Sequence, residues 1–380
     1  MRAVWAQKKS YDMSNTLPIP LRFETVIDQS LLPGRLGNSE LRLETDSRAD
    51  PRIAKLVATS GGFGEGIEPL PIEATYEECL DYCLAFESIE AKAHPQMFAN
   101  MQKFESVLVS EEKILGDDGN EIILYIHQPK HRTGALPGIV HIHGGGMVIM
   151  SAQDPGPVRW RNSLADRGTV VIGVEYRNGA GKLGNHPFPA GLNDCSASLH
   201  WAHEQKNELN LSSVTLSGES GGGNLSIATA LKANAEGWIE KIDGVYAMCP
   251  YIYGGYADPN KKLLSLFEND DYMLGCSVMR SMAKAYDPDG MNRYNPLAWP
   301  YYANIDQLKG LPPHIISVNE LDPLRDEGLA YYRKLLVAGV TVSARTVNGT
   351  PHAGDMGFVD VAPEITADTL ASIVAFVRSC

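Results

Sequence analysis

The sequence predicts a three-layer α/β fold, with helices packed on both faces of a mostly parallel β-sheet. From about Phe104 onward, short apolar runs bounded by turn residues recur along the chain, which is typical of strands buried on both faces. Amphipathic helical patterns fall between these runs. The first two runs flank GDDGN at residues 116–120, a hairpin signal that predicts an antiparallel start to the sheet.

Eight segments are candidate strands, because each is short, apolar and bounded by turn residues. In chain order they are FESVLVS (104–110), EIILYIHQP (121–129), GIVHIH (138–143), TVVIGVEY (169–176), VTLSGE (214–219), GVYAMCPYI (244–252), HIISVNEL (314–321) and TVSARTV (341–347).

Helices are predicted where apolar residues recur at helical spacing. LAYYRKLLVAG ends at Gly339, which fits the preference for glycine just after a helix C-terminus. Two further helices each present one apolar face, formed by Leu192, Cys195, Leu199 and Ala202 in the first and by Leu370, Ile373, Val374 and Val377 in the second.

Two segments depart from this regular pattern. Residues 1–100 are polar and turn-rich apart from the helical stretch ATYEECLDYCLAFESI, so we expect an irregular, partly helical N-terminal portion of a cap. Residues 253–300 are too long for a simple connection, which favours an inserted helical piece packed beside that portion. The predicted catalytic domain is therefore 101–380, with 253–300 as a cap insertion.

Composition excludes several classes of partner. The chain has 380 residues, of which 44% are hydrophobic and 21% charged, as in ordinary globular proteins. Its formal charge of −13 would repel nucleic acid and anionic lipid. The N-terminus lacks an apolar signal-peptide core, and no run approaches the ~18 apolar residues of a membrane span. We therefore expect a cytoplasmic protein.

One serine stands among glycines where a strand becomes a helix. Gly218-Glu219-Ser220-Gly221-Gly222 matches G-x-S-x-G, in which a nucleophile occupies a sharp, strained turn and larger side chains two positions away would collide with neighbouring backbone. The N-terminus of the following helix favours negative charge that develops near the serine. A glycine-rich turn with an incidental serine is the alternative reading.

A nucleophilic serine needs a base, which in this arrangement follows it in the chain. Only His314 and His352 lie after Ser220. His314 opens a strand, at the end opposite to the edge where chemistry occurs in open α/β sheets. His352, in the polar loop NGTPHAGDM, is the predicted base.

The acid that orients the base is predicted at Asp322, just after HIISVNEL at the carboxyl edge of the sheet. Glu320, Asp326 and Glu327 are competitors. Glu320 is expected to lie still within the strand, and Asp326 begins a helix, where a carboxylate is favoured as an N-terminal charge.

The segment HIHGGGM at residues 141–147 provides backbone N–H groups that a ligand can approach closely. Such groups form an oxyanion hole, in which one donor contributes ~3 kcal/mol. We predict Gly144 and Gly145 as donors, with Gly221 as the third. His141 and His143 could instead form a metal pair, but the sequence offers no third ligand nearby, and His143 is expected to brace the loop by hydrogen bonding.

Two weaker patterns are set aside. Gly179–Gly184 matches G-x-G-x-x-G, yet Pro187 and Pro189 stand where the helix of a dinucleotide site should run. Cys79 and Cys83 are four residues apart without a second pair, so we interpret them as small apolar side chains rather than as a metal or redox pair.

Taken together, these motifs resemble the hormone-sensitive-lipase-like family of α/β-hydrolases, in particular its bacterial esterases of the brefeldin A esterase type. The resemblance runs in family order from about residue 104 to the end, in the segments HIHGGG, NDC, GESGGGN, ELDPLRDEG and PHAG. It implies an eight-stranded α/β-hydrolase core, with a helical cap built from the N-terminus and the insertion after the sixth strand.

By the same resemblance, Ser220 is the nucleophile, Asp322 the acid and His352 the base, and the glycine N–H groups predicted above bind the oxyanion. Two departures stand out. Many relatives have Asp before the serine and Ala after it, where this chain has GESGG. Met147 replaces the aromatic residue that often follows HGGG, which bears on the acyl pocket.

The expected function is a serine carboxylesterase that needs no cofactor or metal and acts on soluble esters with small to medium acyl groups. An amidase or a lipase with the same triad is the alternative, although the polar cap segments ADPNKK and FENDD disfavour a lipase. A non-catalytic small-molecule-binding protein is a further alternative. The expected partners are a small-molecule ester and, as a possibility, a second copy of the chain. Candidate pocket residues are Met147, Tyr251 and Tyr253, with Phe267 and Tyr272 nearby.

Overall fold

One mixed β-sheet organises the part of the chain that the structure, a computed structural model, describes, namely residues 31–60, 67–97 and 101–380. Eight strands form this sheet within the described residues. They are β1 (Val107–Leu115), β2 (Glu121–Pro129), β3 (Leu136–Ile142), β4 (Val170–Glu175), β5 (Leu211–Glu219), β6 (Gly244–Met248), β7 (His314–Asn319) and β8 (Val342–Val347).

The strand order is β1-β2-β4-β3-β5-β6-β7-β8. β1 and β2 form the predicted antiparallel hairpin, and β2 also pairs antiparallel with β4. All other neighbours are parallel. The carboxyl ends of β3, β5, β6 and β7 therefore meet at one edge, which is where the predicted site segments emerge. The predicted fold class is confirmed.

Helices cover both faces of the sheet. Their bounds are α1 (Pro51–Ser60), α2 (Tyr76–Met97), α3 (Pro155–Asp166), α4 (Ala190–Glu204), α5 (Gly221–Glu236), α6 (Ser265–Glu268), α7 (Cys276–Tyr286), α8 (Ile305–Leu308), α9 (Arg325–Val337), α10 (Gly354–Gly357) and α11 (Pro363–Ser379). The predicted apolar faces of α4 and α11 are buried, and Gly339 follows α9 with a φ of +79°.

Strand alternation sends neighbouring side chains to two separate cores. Val140 of β3 packs in the core that α4, α5 and α9 cover. Its neighbour Ile139 packs on the opposite face, together with Trp160 of α3 and Ile373 of α11. The sheet is thus buried on both faces, which explains why its strands read as continuous apolar runs.

The N-terminal portion and the insertion contact each other as expected. α2 packs on α7, with Cys83 and Met282 in the same buried cluster. Arg48 forms ion pairs with Asp46 and with Glu268 of α6. Residues 1–30, and the glycine-rich stretch 61–66 that the sequence predicts as loop, lie outside the described residues. The domain boundaries themselves stay a prediction.

Some local expectations can be compared directly. Glu320 follows β7 rather than lying within it, which corrects the predicted strand end. After Gly184 the chain reaches α4 only at Ala190, so no helix opens directly behind the G-x-G-x-x-G pattern. None of the described helices combines the length and apolar content that a membrane span requires.

Candidate active site

Ser220 occupies the tight turn between β5 and α5. Its φ of +55° and ψ of −118° are unusual for a residue with a side chain. A Cβ at Gly222 would lie 1.9 Å from the carbonyl oxygen of Ile142, so only glycine allows β3 and this turn to approach so closely. The strained turn predicted from the sequence is therefore present.

Three side chains from different loops meet at this edge. Nε2 of His352 lies 2.9 Å from Oγ of Ser220, and its Nδ1 lies 2.8 Å from Oδ2 of Asp322. Asp322 is fully buried, whereas 14% of the His352 side chain is exposed. The hydroxyl, imidazole and carboxylate thus form the continuous hydrogen-bonded chain that a nucleophilic serine requires.

Asp322 is held on two sides. Its Oδ1 accepts a hydrogen bond of 2.9 Å from the backbone N–H of Leu324. Its carbonyl oxygen accepts a bond of 3.2 Å from Nδ2 of Asn269, which lies in the insertion. Burial disfavours the protonated imidazole of His352, but the Asp322 carboxylate more than offsets this and raises the pKa of His352 well above its ordinary value.

The competing acids have other partners. Glu320 accepts a hydrogen bond from the N–H of Gly349, and Asp326 accepts one from the N–H of Ser265. Glu327 is fully buried, and its Oε1 accepts bonds from two backbone N–H groups and from a tyrosine hydroxyl. Burial raises the pKa of Glu327 to about 8. None of these contacts reaches His352.

The glycine donors need one correction. The N–H of Gly144 donates to Oε1 of Glu219 at 2.8 Å, so it is not free to bind an oxyanion. The N–H groups of Gly145, Gly146 and Gly221 have no hydrogen-bond acceptor among the described residues. A Cβ at Gly221 would meet the nitrogen of Gly146 at 2.8 Å, so these two backbone segments are adjacent. Gly146 replaces Gly144 as a candidate donor.

Buried carboxylates hold the oxyanion loop, which we define as residues 144–152. Besides Gly144, Glu219 contacts Nε2 of His141 at 3.1 Å. Glu175, at the end of β4, accepts bonds from the N–H of Ala152 and the hydroxyl of Ser151 at 2.9 and 2.6 Å.

A third carboxylate comes from the N-terminal portion. Glu87 of α2 accepts a bond of 2.8 Å from the N–H of Met150, and a second of 2.7 Å from the N–H of Lys182. A Cβ at Gly181 would lie 2.7 Å from Oε2 of Glu87. The sequence analysis did not identify Glu87 or Glu175, and a glycine that leaves room for a distant side chain is a signal that only the fold can reveal.

His141 and His143 both serve this loop rather than forming a metal pair. Nδ1 of His143 donates to the carbonyl oxygen of Gly144 at 3.0 Å, and its ring stacks on Tyr176 with centroids 4.3 Å apart. Burial lowers the pKa of His143 to about 4, so the imidazole is neutral at physiological pH. The predicted bracing role of His143 is confirmed.

The candidate pocket residues are mostly packed in the interior. Met147 belongs to the oxyanion loop, and its backbone nitrogen lies beside Gly221. The Tyr251 ring stacks on Tyr256 with centroids 5.0 Å apart, and Tyr253 meets Tyr301 edge to face at 5.2 Å. Their contact with substrate stays a prediction.

Two other side chains and one cavity complete this region. Tyr272 donates to Asp46, while Phe267 is partly exposed. A surface cavity of about 410 Å³ lies between α2, α7 and the loop at Gly254, and no triad residue lines it.

Comparison with known proteins places this geometry in a family. A family model described as an alpha/beta hydrolase fold matches residues 139–355, a range that includes Ser220, Asp322 and His352. Among solved structures, brefeldin A esterase, described as a bacterial homologue of human hormone sensitive lipase, is similar with a TM-score of 0.82. It is 41% identical, and the match covers 91% of this chain and 98% of that chain.

Curated relatives agree with this placement. Carboxylesterase NlhH of Mycobacterium tuberculosis is 29% identical over 274 residues, which is 71% of this chain and 82% of the relative. An arylesterase of Saccharolobus solfataricus is 31% identical over 237 residues, 61% of this chain and 72% of the relative. The chain therefore belongs to the α/β-hydrolase family, among its hormone-sensitive-lipase-like members.

Proposed function

We propose that the chain is a serine carboxylesterase that hydrolyses small-molecule esters with small to medium acyl groups through an acyl-enzyme. The observation that carries this proposal is the continuous relay from Ser220 through His352 to Asp322, with bonds of 2.9 and 2.8 Å. The names of the related carboxylesterase and arylesterase support the same reaction class.

In the first half of the reaction, Oγ of Ser220 attacks the ester carbonyl carbon while Nε2 of His352 accepts the hydroxyl proton. Asp322 keeps the imidazole in the required tautomer and stabilises its protonated form. The tetrahedral intermediate then collapses, and His352 gives the proton to the departing alcohol. Water repeats the sequence with His352 as base, which releases the carboxylic acid and restores Ser220.

The developing oxyanion is stabilised by backbone donors. We assign this role to the N–H groups of Gly145, Gly146 and Gly221, which have no competing acceptor among the described residues. Loss of one such donor costs ~3 kcal/mol of transition-state stabilisation in serine hydrolases. The start of α5 adds the positive end of its helix dipole beside Ser220.

Replacing the nucleophile tests the proposal most directly. We expect Ser220→Ala to lower kcat for a nitrophenyl ester by roughly 10⁴- to 10⁶-fold. Thermal unfolding should change little, because the variant removes only a partly exposed hydroxyl. Ser212→Ala, an exposed serine on the same strand, is the matched control and should retain full turnover. Retention of most activity by Ser220→Ala would overturn the assignment.

Substrate class is tested separately. Nitrophenyl esters of increasing acyl length should show a maximum at small or medium chains, and the matching anilides should be turned over far more slowly, because an amide needs better protonation of its leaving group. Equal rates on anilides would favour the amidase alternative. A marked increase in turnover on emulsified long-chain esters would favour a lipase.

Architecture, assembly and location are further parts of the proposal. Residues 1–100 and 253–300 form a cap on the catalytic domain 101–380, which the packing of α2 on α7 supports. The chain is cytoplasmic, binds no nucleic acid and, as a possibility, forms a homodimer. Light scattering tests the dimer, and fractionation of the native host tests the location.

A further inference from the structure

Cys249 lies directly beside the triad, and the mechanism above does not use it. It follows β6 with a φ of +34°, a left-handed conformation that is uncommon for a residue with a side chain. The side chain is only 1% exposed. Its sulfur, a ring nitrogen of His352 and a carboxylate oxygen of Asp322 all lie within 4.8 Å of one another. Uncommon backbone conformations of this kind concentrate at functional sites.

A thiolate, an imidazole and a carboxylate are ligands that Zn²⁺ accepts together. We propose that Cys249, Asp322 and His352 form a binding site for a thiophilic divalent cation such as Zn²⁺ or Cd²⁺, and that the bound cation inhibits the enzyme. Three protein ligands would leave a fourth position for water, the coordination number that zinc prefers. This site is separate in chemistry from ester hydrolysis, since no step of that reaction needs a metal.

Charge balance favours a divalent ion. Binding replaces the thiol proton of Cys249, which is released to solvent, so that a sulfur–metal bond forms as the S–H bond breaks. The resulting thiolate and the Asp322 carboxylate together carry two negative charges, which the cation neutralises. Because Cys249 and Asp322 are buried, the partly exposed imidazole of His352 marks the side from which the cation would enter.

Occupancy would stop catalysis through His352. Coordination at Nδ1 would replace its bond to Asp322, and coordination at Nε2 would remove the proton acceptor for Ser220. Inhibition by the cation rests on the proposed function, but binding of the cation does not. Binding is therefore the primary measurement.

The probe is Co²⁺, because a cobalt–thiolate bond gives a charge-transfer absorption band in the near ultraviolet that a cobalt–oxygen or cobalt–nitrogen site lacks. It is titrated into the Ser220→Ala variant and into the same variant carrying Cys249→Ser. The matched control carries Cys380→Ser instead, which removes the exposed thiol at the C-terminus. Thermal unfolding checks that each variant is folded, and Cys249→Ala replaces Cys249→Ser if the latter is not.

We expect one Co²⁺ per chain, with a band that persists in Cys380→Ser and disappears in Cys249→Ser. Zn²⁺ affinity should fall in Cys249→Ser by more than the ~10- to 100-fold that loss of a supporting outer partner costs. In the enzyme with Ser220 intact, Cd²⁺ should inhibit and a chelator should restore turnover, with the metal-free rate of each variant as its own reference. Absence of a band, or a band that survives Cys249→Ser, would overturn the proposal.

Discussion

The nucleophile turn and the oxyanion loop face the same substrate position, yet they are fixed by different physical means. The turn at residues 218–222 is fixed by steric exclusion, since a Cβ at Gly222 would lie 1.9 Å from the carbonyl oxygen of Ile142. The loop at residues 144–152 is fixed by carboxylates that accept its N–H groups. The first constraint is local in sequence, and the second depends on residues far along the chain.

The difference teaches where each kind of rigidity can fail. A steric constraint is lost only if a residue is enlarged, and the cost then falls on folding. A polar constraint is lost when a buried acceptor is removed, which leaves N–H groups of the loop unpaired. The loop should therefore be open to graded changes in catalysis with little loss of fold, whereas the turn should not.

Enlarging the turn should have the largest effect. Gly222→Ala is expected to destabilise the protein by about 3 kcal/mol, because the new methyl group must displace the backbone of β3. Urea unfolding measures the change. Gly357→Ala is the control, since a Cβ there meets nothing within 4 Å. If both variants unfold at the same urea concentration as the parent, the turn is not sterically fixed.

Removing the first carboxylate of the loop should have the next largest effect. Glu219→Ala leaves the Gly144 N–H and Nε2 of His141 without their acceptor, and we expect kcat to fall roughly 100-fold, up to the effect of losing one oxyanion donor. KM should change little. Glu219→Gln keeps one acceptor oxygen, so it should recover part of the loss.

The readout for Glu219 is affinity for a boronic acid, which mimics the tetrahedral intermediate. That affinity should fall in parallel with kcat, because the loop acts on the transition state. A fall in KM-dependent binding with unchanged kcat would show that the carboxylate serves substrate binding instead.

The smallest effect is expected from the N-terminal portion. Glu87→Gln retains one oxygen where the carboxylate now serves the N–H groups of both Met150 and Lys182, so we expect kcat to fall about 3- to 10-fold. Asp81→Asn removes the same charge from an exposed position on α2 and should have no effect. Equal losses in both variants would indicate a long-range charge effect, and the loop would not depend on Glu87.

The same contrast explains what the sequence could predict. Ser220, His352 and Asp322 could be identified because turn residues, strand ends and chain order are local signals. Gly144 was misassigned because its availability depends on Glu219, whose carboxylate reaches the loop from 75 positions away. No periodicity or spacing in the sequence encodes that contact.

The tyrosines illustrate a second limit. Tyr251 and Tyr253 follow β6 close to the site, but the sequence does not reveal that an aromatic cluster with Tyr256 and Tyr301 packs around them. Glu87 could not be identified either, because α2 reads as an ordinary helix with scattered acidic residues. Side chains recruited by tertiary packing leave no local pattern.

Asn269 sets a rule for exchanging parts between related enzymes. Although it belongs to the inserted segment, its amide binds the carbonyl oxygens of Glu320 and Asp322, at 3.1 and 3.2 Å. A chimera that imports a foreign lid to alter substrate range would also replace a support of the acidic member of the relay. Grafts should therefore retain this asparagine and vary the segment only outside it.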